Sequence, residues 1–176
     1  MAKPAEKIII EPSDGRIVSF LGNEVTFKIQ GGQTSGSFSI VEGLYPPDNF
    51  TPPHRHVKTD EVGYILEGEL GVMVAEEDFR AGPGTFFVRP KGVPHALWNV
   101  TDRPVRFLDM YTPAGMEAWF EELARLVSAS TPPALEQLFE AGRRYDTIFM
   151  PELAPRLVQK FGLRLPAPAS PEPSPS

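Results

Sequence analysis

Residues 53–61 have the sequence Pro-His-Arg-His-Val-Lys-Thr-Asp-Glu, and a Pro94-His95 pair follows further along the chain. The chain has three histidines in all, and every one lies in these two places. Because side chains alternate between the two faces of an extended strand, His54 and His56 point to the same side and can bind one ion. His95 can supply a third imidazole. The two segments therefore predict a metal site.

Glu61 needs a separate argument, because it is an odd number of residues away from both His54 and His56 and would face the other side of an unbroken strand. We therefore expect a bend within the polar run Lys58-Thr59-Asp60, which returns the carboxylate to the histidine side. Imidazoles with one carboxylate leave coordination positions open, as is typical of catalytic iron, manganese, nickel, cobalt or zinc. The competing interpretation is a His-x-His pair on an exposed strand that binds no metal.

Two spacings in the chain resemble the two motifs of the cupin family. The first is His54-x-His56, four residues, Glu61, six residues and Gly68. The second is Gly84, five residues, Pro90-x-Gly92, two residues, His95, three residues and Asn99. One position departs from the first motif, which has a glycine six residues before its first histidine where this chain has Asp48. We expect the turn entering that strand to be rebuilt around residues 46–49.

The resemblance implies a mainly β fold: a cupin-type antiparallel β-barrel, or double-stranded β-helix of jelly-roll form, with C-terminal α-helices. It implies that His54, His56, Glu61 and His95 hold one divalent ion, which could be Fe, Mn, Ni, Co, Zn or Cu. It also gives Glu61 a catalytic role, as an acidic ligand or as a general base. Cupins of this kind form dimers through the outer sheet and the N-terminal strand, so we expect a homodimer to which Ile8-Ile9-Ile10 contributes.

Within the family, the chain is similar to single-domain bacterial quercetin 2,3-dioxygenase-like proteins. This implies an oxidoreductase of the dioxygenase type, which acts on a small enolisable or aromatic molecule together with O2. Two alternatives stay open. One is a metal-dependent isomerase, epimerase or lyase acting on a sugar or keto acid, and the other is a non-catalytic cupin that binds a small molecule. Two interpretations are open for each of the basic residues Arg55, Arg89 and Lys91. The side chain is either a solvated charge or a cation at the pocket mouth that attracts an anionic substrate.

The amino-acid composition excludes several classes of binding partner. The net charge of -6 and the lack of any lysine and arginine run exclude a typical nucleic-acid-binding protein. Without cysteine, any metal is held by nitrogen and oxygen. The polar N-terminus and the short apolar triplet at residues 8–10 predict no membrane contact and a cytoplasmic location.

The spacing of apolar residues and the positions of turn residues predict four parts of the chain. They are an arm (1–15), a β-barrel (16–112), a helical segment packed on the barrel (113–164) and a disordered proline-rich tail (165–176). Alternating runs predict strands Arg16–Leu21, Glu24–Gln30, Ser37–Leu44, Val62–Leu66, Leu70–Val74, Thr85–Arg89, His95–Val100 and Val105–Tyr111. We expect Gly68 to form a tight hairpin between the fourth and fifth of these strands. The predicted barrel lining is aromatic: Phe50, Tyr64, Phe79, Phe86, Phe87, Trp98, Phe107 and Tyr111.

A first helix is predicted from Met116 to Val127, because apolar residues recur there at intervals of three and four residues. A second is expected over Pro133–Tyr145, with Leu135, Leu138 and Phe139 inward and Thr131 or Pro132 near its start. A third, shorter one is expected over Pro151–Phe161.

Overall fold

The computed structural model describes residues 8–129 and 133–164. Its strands are Arg16–Phe20 (β1), Asn23–Ile29 (β2), Ser39–Tyr45 (β3), Phe50–His56 (β4), Asp60–Glu67 (β5), Leu70–Val74 (β6), Glu77–Ala81 (β7), Phe86–Arg89 (β8), His95–Trp98 (β9), Val105–Thr112 (β10) and Thr147–Phe149 (β11). Its helices are Met116–Val127 (α1), Leu135–Arg144 (α2) and Ala154–Phe161 (α3), with 3-10 turns at Gly31–Thr34 and Pro151–Leu153.

The strands form two antiparallel sheets that face each other. One has the order β1-β2-β3-β10-β5-β8 and the other has the order β11-β4-β9-β6-β7. Strand burial alternates as the sequence predicted, for example along β3 and β10, because one face of each sheet looks into the core. Ile65, Leu70 and Val105 are fully buried between the sheets. The predicted jelly-roll architecture with C-terminal helices is confirmed.

Helix α1 packs on β1 with Met116, Trp119 and Leu123 buried, as the spacing of its apolar residues predicted. The prediction that Leu135 faces inward is wrong, since it is 58% exposed. Helix α2 buries Ala141 and Gly142 instead. A Cβ at Gly142 would lie 3.0 Å from the Phe149 ring. The helix therefore packs closely through its last turn, and its first turn is exposed to solvent.

Gly68 has the positive φ, 81°, that its position in the sequence predicted. The predicted hairpin is nevertheless wrong, because β5 and β6 belong to different sheets. The glycine lets the chain cross from one sheet to the other. Asp48 adopts a φ of 60°, so it takes the left-handed conformation that the family's glycine would supply, as a short Asp side chain can.

Five of the predicted lining residues do not line the space between the sheets. Phe79 and Phe86 are 49% and 69% exposed, and the Tyr64 ring packs on that of Phe86. Phe50 and Trp98 are buried instead in a separate cluster with Leu157 of α3.

Ile8 and Ile9 are exposed, and they form no strand within the described residues. The predictions for residues 1–7, for the tail at 165–176 and for a helix start at Thr131 or Pro132 lie outside the described residues. No described helix combines the length and the apolar character needed to cross a membrane.

Candidate metal centre

Three neighbouring parts of the barrel bring the four candidate ligands together. His54 and His56 lie on one face of β4, and His95 of the adjacent strand β9 pairs directly with His54. Glu61 enters from β5 in the facing sheet. The ligand atoms of these four buried side chains all lie within 4.8 Å of one another. The structure thus unites every residue that the sequence singled out as a ligand.

The predicted bend before Glu61 is present. The chain leaves β4 after His56, bends at residues 57–58 and enters β5 at Asp60. The bend carries the chain from one sheet to the other, so the carboxylate reaches the histidine cluster from the opposite wall. This explains how an odd spacing along the sequence still gives one common site.

A backbone carbonyl occupies one ring nitrogen of each histidine. Nδ1 of His54 lies 2.8 Å from the Pro52 oxygen, and Nδ1 of His95 lies 3.0 Å from the Val93 oxygen. Nδ1 of His56 lies 3.0 Å from the carbonyl of Asp146. Because a carbonyl only accepts, each Nδ1 donates its proton, and each ring in its neutral form presents the lone pair of Nε2 to the cluster.

These lone pairs fit a cation. The Nε2 atoms of His54 and His95 are 3.2 Å apart, and two facing lone pairs at that distance repel each other unless a positive charge lies between them. Ligands at right angles around an ion with bonds of about 2.1 Å are separated by about 3.0 Å. Nε2 of His56 and Oε2 of Glu61 are also buried without a hydrogen bond of good geometry, although each has a charged neighbour, Oε1 of Glu61 at 2.7 Å and Nη1 of Arg89 at 2.6 Å. The donor set therefore fits one divalent ion.

The protonation states suit metal binding too. Burial lowers the pKa of His54 well below its usual value and that of His95 to about 4. Burial would raise the pKa of Glu61, but Arg89, His95 and His56 outweigh it and hold the pKa well below the usual range. Burial also opposes charge on His56, yet the Glu61 carboxylate 2.7 Å away raises its pKa above the ordinary value. A proton shared by His56 and Glu61 therefore competes with a cation, and the ion would displace it on binding.

Arg89 was expected to be either a solvated charge or a cation at the pocket mouth, and both interpretations are wrong. The residue is only 2% exposed. Its Nη1 lies 2.6 Å from Oε2 of Glu61, and its Nη2 donates to Asp109. Asp109 accepts a further hydrogen bond of 3.3 Å from Tyr111. Behind the ligand carboxylate there is thus a buried layer of charged and polar groups.

The other two basic candidates do not join the cluster. Lys91 is largely exposed and pairs with Asp60 at 3.3 Å. Arg55 lies between the two histidines on β4, so its side chain points to the opposite face of the strand.

Access to the cluster is uneven. His54 retains 8% exposure, whereas His56, Glu61 and His95 retain 1% each. The ring of Phe149 lies 6.0 Å from that of His54, and Phe139 stacks on Phe149 at 5.1 Å. Two aromatic rings from the C-terminal segment therefore lie beside the most exposed of the four candidate ligands, and neither was among the predicted lining residues.

The comparison with known families agrees with this geometry. Residues 41–111, from β3 to β10, match the model of the cupin domain family. This match supports a cupin domain over those residues, which are less than half of the chain. The finer likeness to quercetin dioxygenases stays a prediction.

Known proteins resemble the chain over part of its length. The uncharacterized protein MJ1618 of Methanocaldococcus jannaschii is 32% identical over 71 residues, which are 40% of this chain and 56% of that protein. The chain spans about half the length of the curated relatives that it matches.

Two solved structures show the same fold. KdgF from Halomonas sp. superposes with a TM-score of 0.56 at 18% identity, over 62% of this chain and 97% of that one. The polyketide cyclase RemF from Streptomyces resistomycificus superposes with a TM-score of 0.53 at 22% identity, over 60% of this chain and 79% of that one. At these identities the likeness concerns architecture.

Proposed function

We propose that the protein is a metal-dependent enzyme, an oxidoreductase of the quercetinase-like dioxygenase type. Its substrate would be a small enolisable or aromatic molecule, with O2 as the second substrate. The observation that carries the proposal is the convergence of three imidazoles and one carboxylate in a buried position beside the stacked rings of Phe149 and Phe139. Four protein ligands leave room on an ion that takes five or six.

In this proposal His54, His56, Glu61 and His95 hold one divalent ion. When bound, the ion would act as a Lewis acid toward an enolate or carboxylate oxygen of the substrate. The Phe149 ring, 6.0 Å from His54, would pack against a planar substrate at the accessible side and help to exclude water.

Glu61 has the further role of handling a substrate proton. Its Oε2 is held by Arg89 at 2.6 Å, and a carboxylate held in this way is a weak base. Glu61 would therefore act as general base only after its contact with Arg89 lengthens, and until then it serves as an anionic ligand.

The test begins with the metal content of the purified protein. The metal is then removed with a chelator and Fe2+, Mn2+, Co2+, Ni2+, Cu2+ or Zn2+ is restored, one at a time. Oxygen uptake is followed with a panel of flavonols, β-diketones and catechols. We expect uptake with at least one pair of ion and substrate. His95→Ala should abolish this uptake, and the exposed variant Glu69→Gln should keep it. A fully loaded protein that consumes no oxygen with the whole panel would refute the proposal.

A second candidate is a metal-dependent isomerase, epimerase or lyase acting on a sugar or keto acid. The polar layer of Arg89, Asp109 and Tyr111 behind Glu61 favours it, because these groups would tune the basicity of Glu61 for the proton transfer that an isomerase or lyase needs. The two candidates differ in their need for oxygen. Turnover of a keto acid or sugar under nitrogen, with no oxygen uptake in air, would select the second.

We also propose that the chain forms a homodimer through its outer sheet. Ile17 on β1 is 60% exposed, and Phe86 and Val88 on β8 are 69% and 55% exposed, all on the outer face of the six-stranded sheet. Ile8 and Ile9, at 95% and 69%, add apolar surface near β1. Light scattering at micromolar concentration should give twice the mass of the chain, and the mass of a monomer would contradict the proposal.

A further inference from the structure

Strand β11 lies along the outer edge of the strand that carries two of the candidate ligands. It pairs antiparallel with β4, with Thr147 opposite His56 and Phe149 opposite His54. Asp146 stands immediately before it, with a left-handed φ of 63°. A segment some ninety residues away in sequence therefore borders the centre, and Asp146 and Thr147 are its residues within hydrogen-bonding distance of His56.

The main chain of Asp146 orients a ligand. Its carbonyl accepts from Nδ1 of His56 at 3.0 Å, which fixes the tautomer and the rotation of the ring. The other two candidate histidines use carbonyls only two residues away, those of Pro52 and Val93. Among the three rings, His56 is thus the one whose orientation depends on the C-terminal segment.

The side chain of Asp146 holds the bend that leads to Glu61. Its carboxylate accepts from the amide of Val57 at 3.1 Å and from the amide of Lys58 at 2.9 Å. It also accepts from Oγ1 of Thr59 at 3.0 Å. These donors lie in the short connection between His56 and β5, where the chain crosses to the other sheet.

We infer that Asp146 is the positioning residue of this centre: its carbonyl aims His56 and its carboxylate fixes the bend that delivers Glu61. This inference rests on the proposed metal site. One residue outside both ligand segments sets the relative placement of two ligands, and the preorganised bend lowers the entropic cost of assembling the site.

The test compares three variants of the full chain after the metal is removed. Asp146→Gly keeps the left-handed backbone and the carbonyl but removes the carboxylate. Asp146→Asn keeps one acceptor oxygen and tolerates the same backbone. Asp48→Gly is the matched control, because Asp48 also has a positive φ, 60°, and it is exposed in the turn before β4.

Three measurements are made on each variant: the affinity for Co2+, the visible spectrum of the Co2+ form, and amide hydrogen exchange of residues 57–61 in the metal-free form. For Asp146→Gly we expect an affinity about 10–100-fold weaker, an altered spectrum and faster exchange in the bend. Asp146→Asn should lose about 3–10-fold in affinity, with exchange in the bend between those of Asp146→Gly and the wild type, because its amide nitrogen cannot accept the hydrogen bonds that one carboxylate oxygen accepts. Asp48→Gly should match the wild type in all three.

The outcomes separate the two proposals. If the wild type binds no Co2+, the proposed metal site fails and this inference fails with it. If the wild type binds but Asp146→Gly has the same affinity, spectrum and exchange, the inference alone is refuted. If Asp146→Gly does not fold, Asp146→Asn decides: unchanged affinity and unchanged exchange in the bend would overturn the positioning role.

Discussion

Replacing Arg89 by methionine should strongly destabilise the metal-free protein. The guanidinium is 2% exposed and contacts both Glu61, at 2.6 Å, and Asp109. Methionine fills a similar volume but leaves two buried carboxylates without their common counter-charge. Removing one partner of a buried ion pair costs about 3–5 kcal/mol. For a chain of this size that loss lowers the Tm by roughly 6–20 °C.

The pH dependence identifies the cause. Burial already raises the pKa of Asp109 to about 7, with Arg89 opposing the shift. Without Arg89 that pKa rises further, and a group with a raised folded-state pKa destabilises the fold at high pH and ceases to do so as the pH falls. The stability deficit of Arg89→Met should therefore shrink between pH 8 and pH 5. A deficit caused by poor packing would not change over this range.

The assay is urea unfolding at pH 5, 6.5 and 8, with Arg89→Lys and Arg103→Met as comparisons. Arg89→Lys keeps the charge and should lose less stability than Arg89→Met. The Arg103 side chain is 85% exposed, so its replacement should stay within about 0.5 kcal/mol of the wild type. If Arg89→Met were as stable as the wild type at pH 8, or if its deficit did not depend on pH, the electrostatic account of this layer would be wrong.

Three further outcomes follow from the same geometry. Because Glu61 raises the pKa of His56 above its ordinary value, the ring is protonated below that pKa, and Co2+ must displace the proton. Calorimetry in buffers of different ionisation enthalpy should therefore detect more protons released per ion at pH 6 than at high pH. A bound ion should also stabilise the fold: at a free concentration 100 times its Kd it adds about 2.7 kcal/mol, so the Tm should rise on adding Co2+ and return to the metal-free value with excess chelator. Gly71→Ala should cost about 1–3 kcal/mol, since its Cβ would lie 2.0 Å from Nε1 of Trp98. Gly82→Ala, whose Cβ meets nothing within 4 Å, is the control and should be neutral; equal stability of the two would contradict the packing argument.

Much of the centre could be predicted because its ligands lie in local patterns. Two residues of separation fix the common face of His54 and His56, and an odd spacing to Glu61 requires the bend that is observed at residues 57–58. The periodicity of α1 was equally clear, because its buried positions recur at three and four.

The features that the sequence did not predict depend on pairing between distant segments. Arg89 ends a strand that is apolar on both faces, since Phe87 packs inward while Val88 is exposed. Alternation alone could not show which side the arginine faces. Asp146 gave no signal, because its partners lie about ninety residues away. The hairpin at Gly68 failed for a related reason: in two packed sheets, consecutive strands need not pair.

The position of β11 has a consequence for any attempt to shorten this protein. The segment that matches the family model, residues 41–111, contains all four ligands but omits the strand that covers β4. A fragment limited to it would leave the main-chain donors and acceptors of β4 open to pairing with other chains. Residues 147–149 therefore protect the centre from self-association, and a minimal version of the protein has to extend past them.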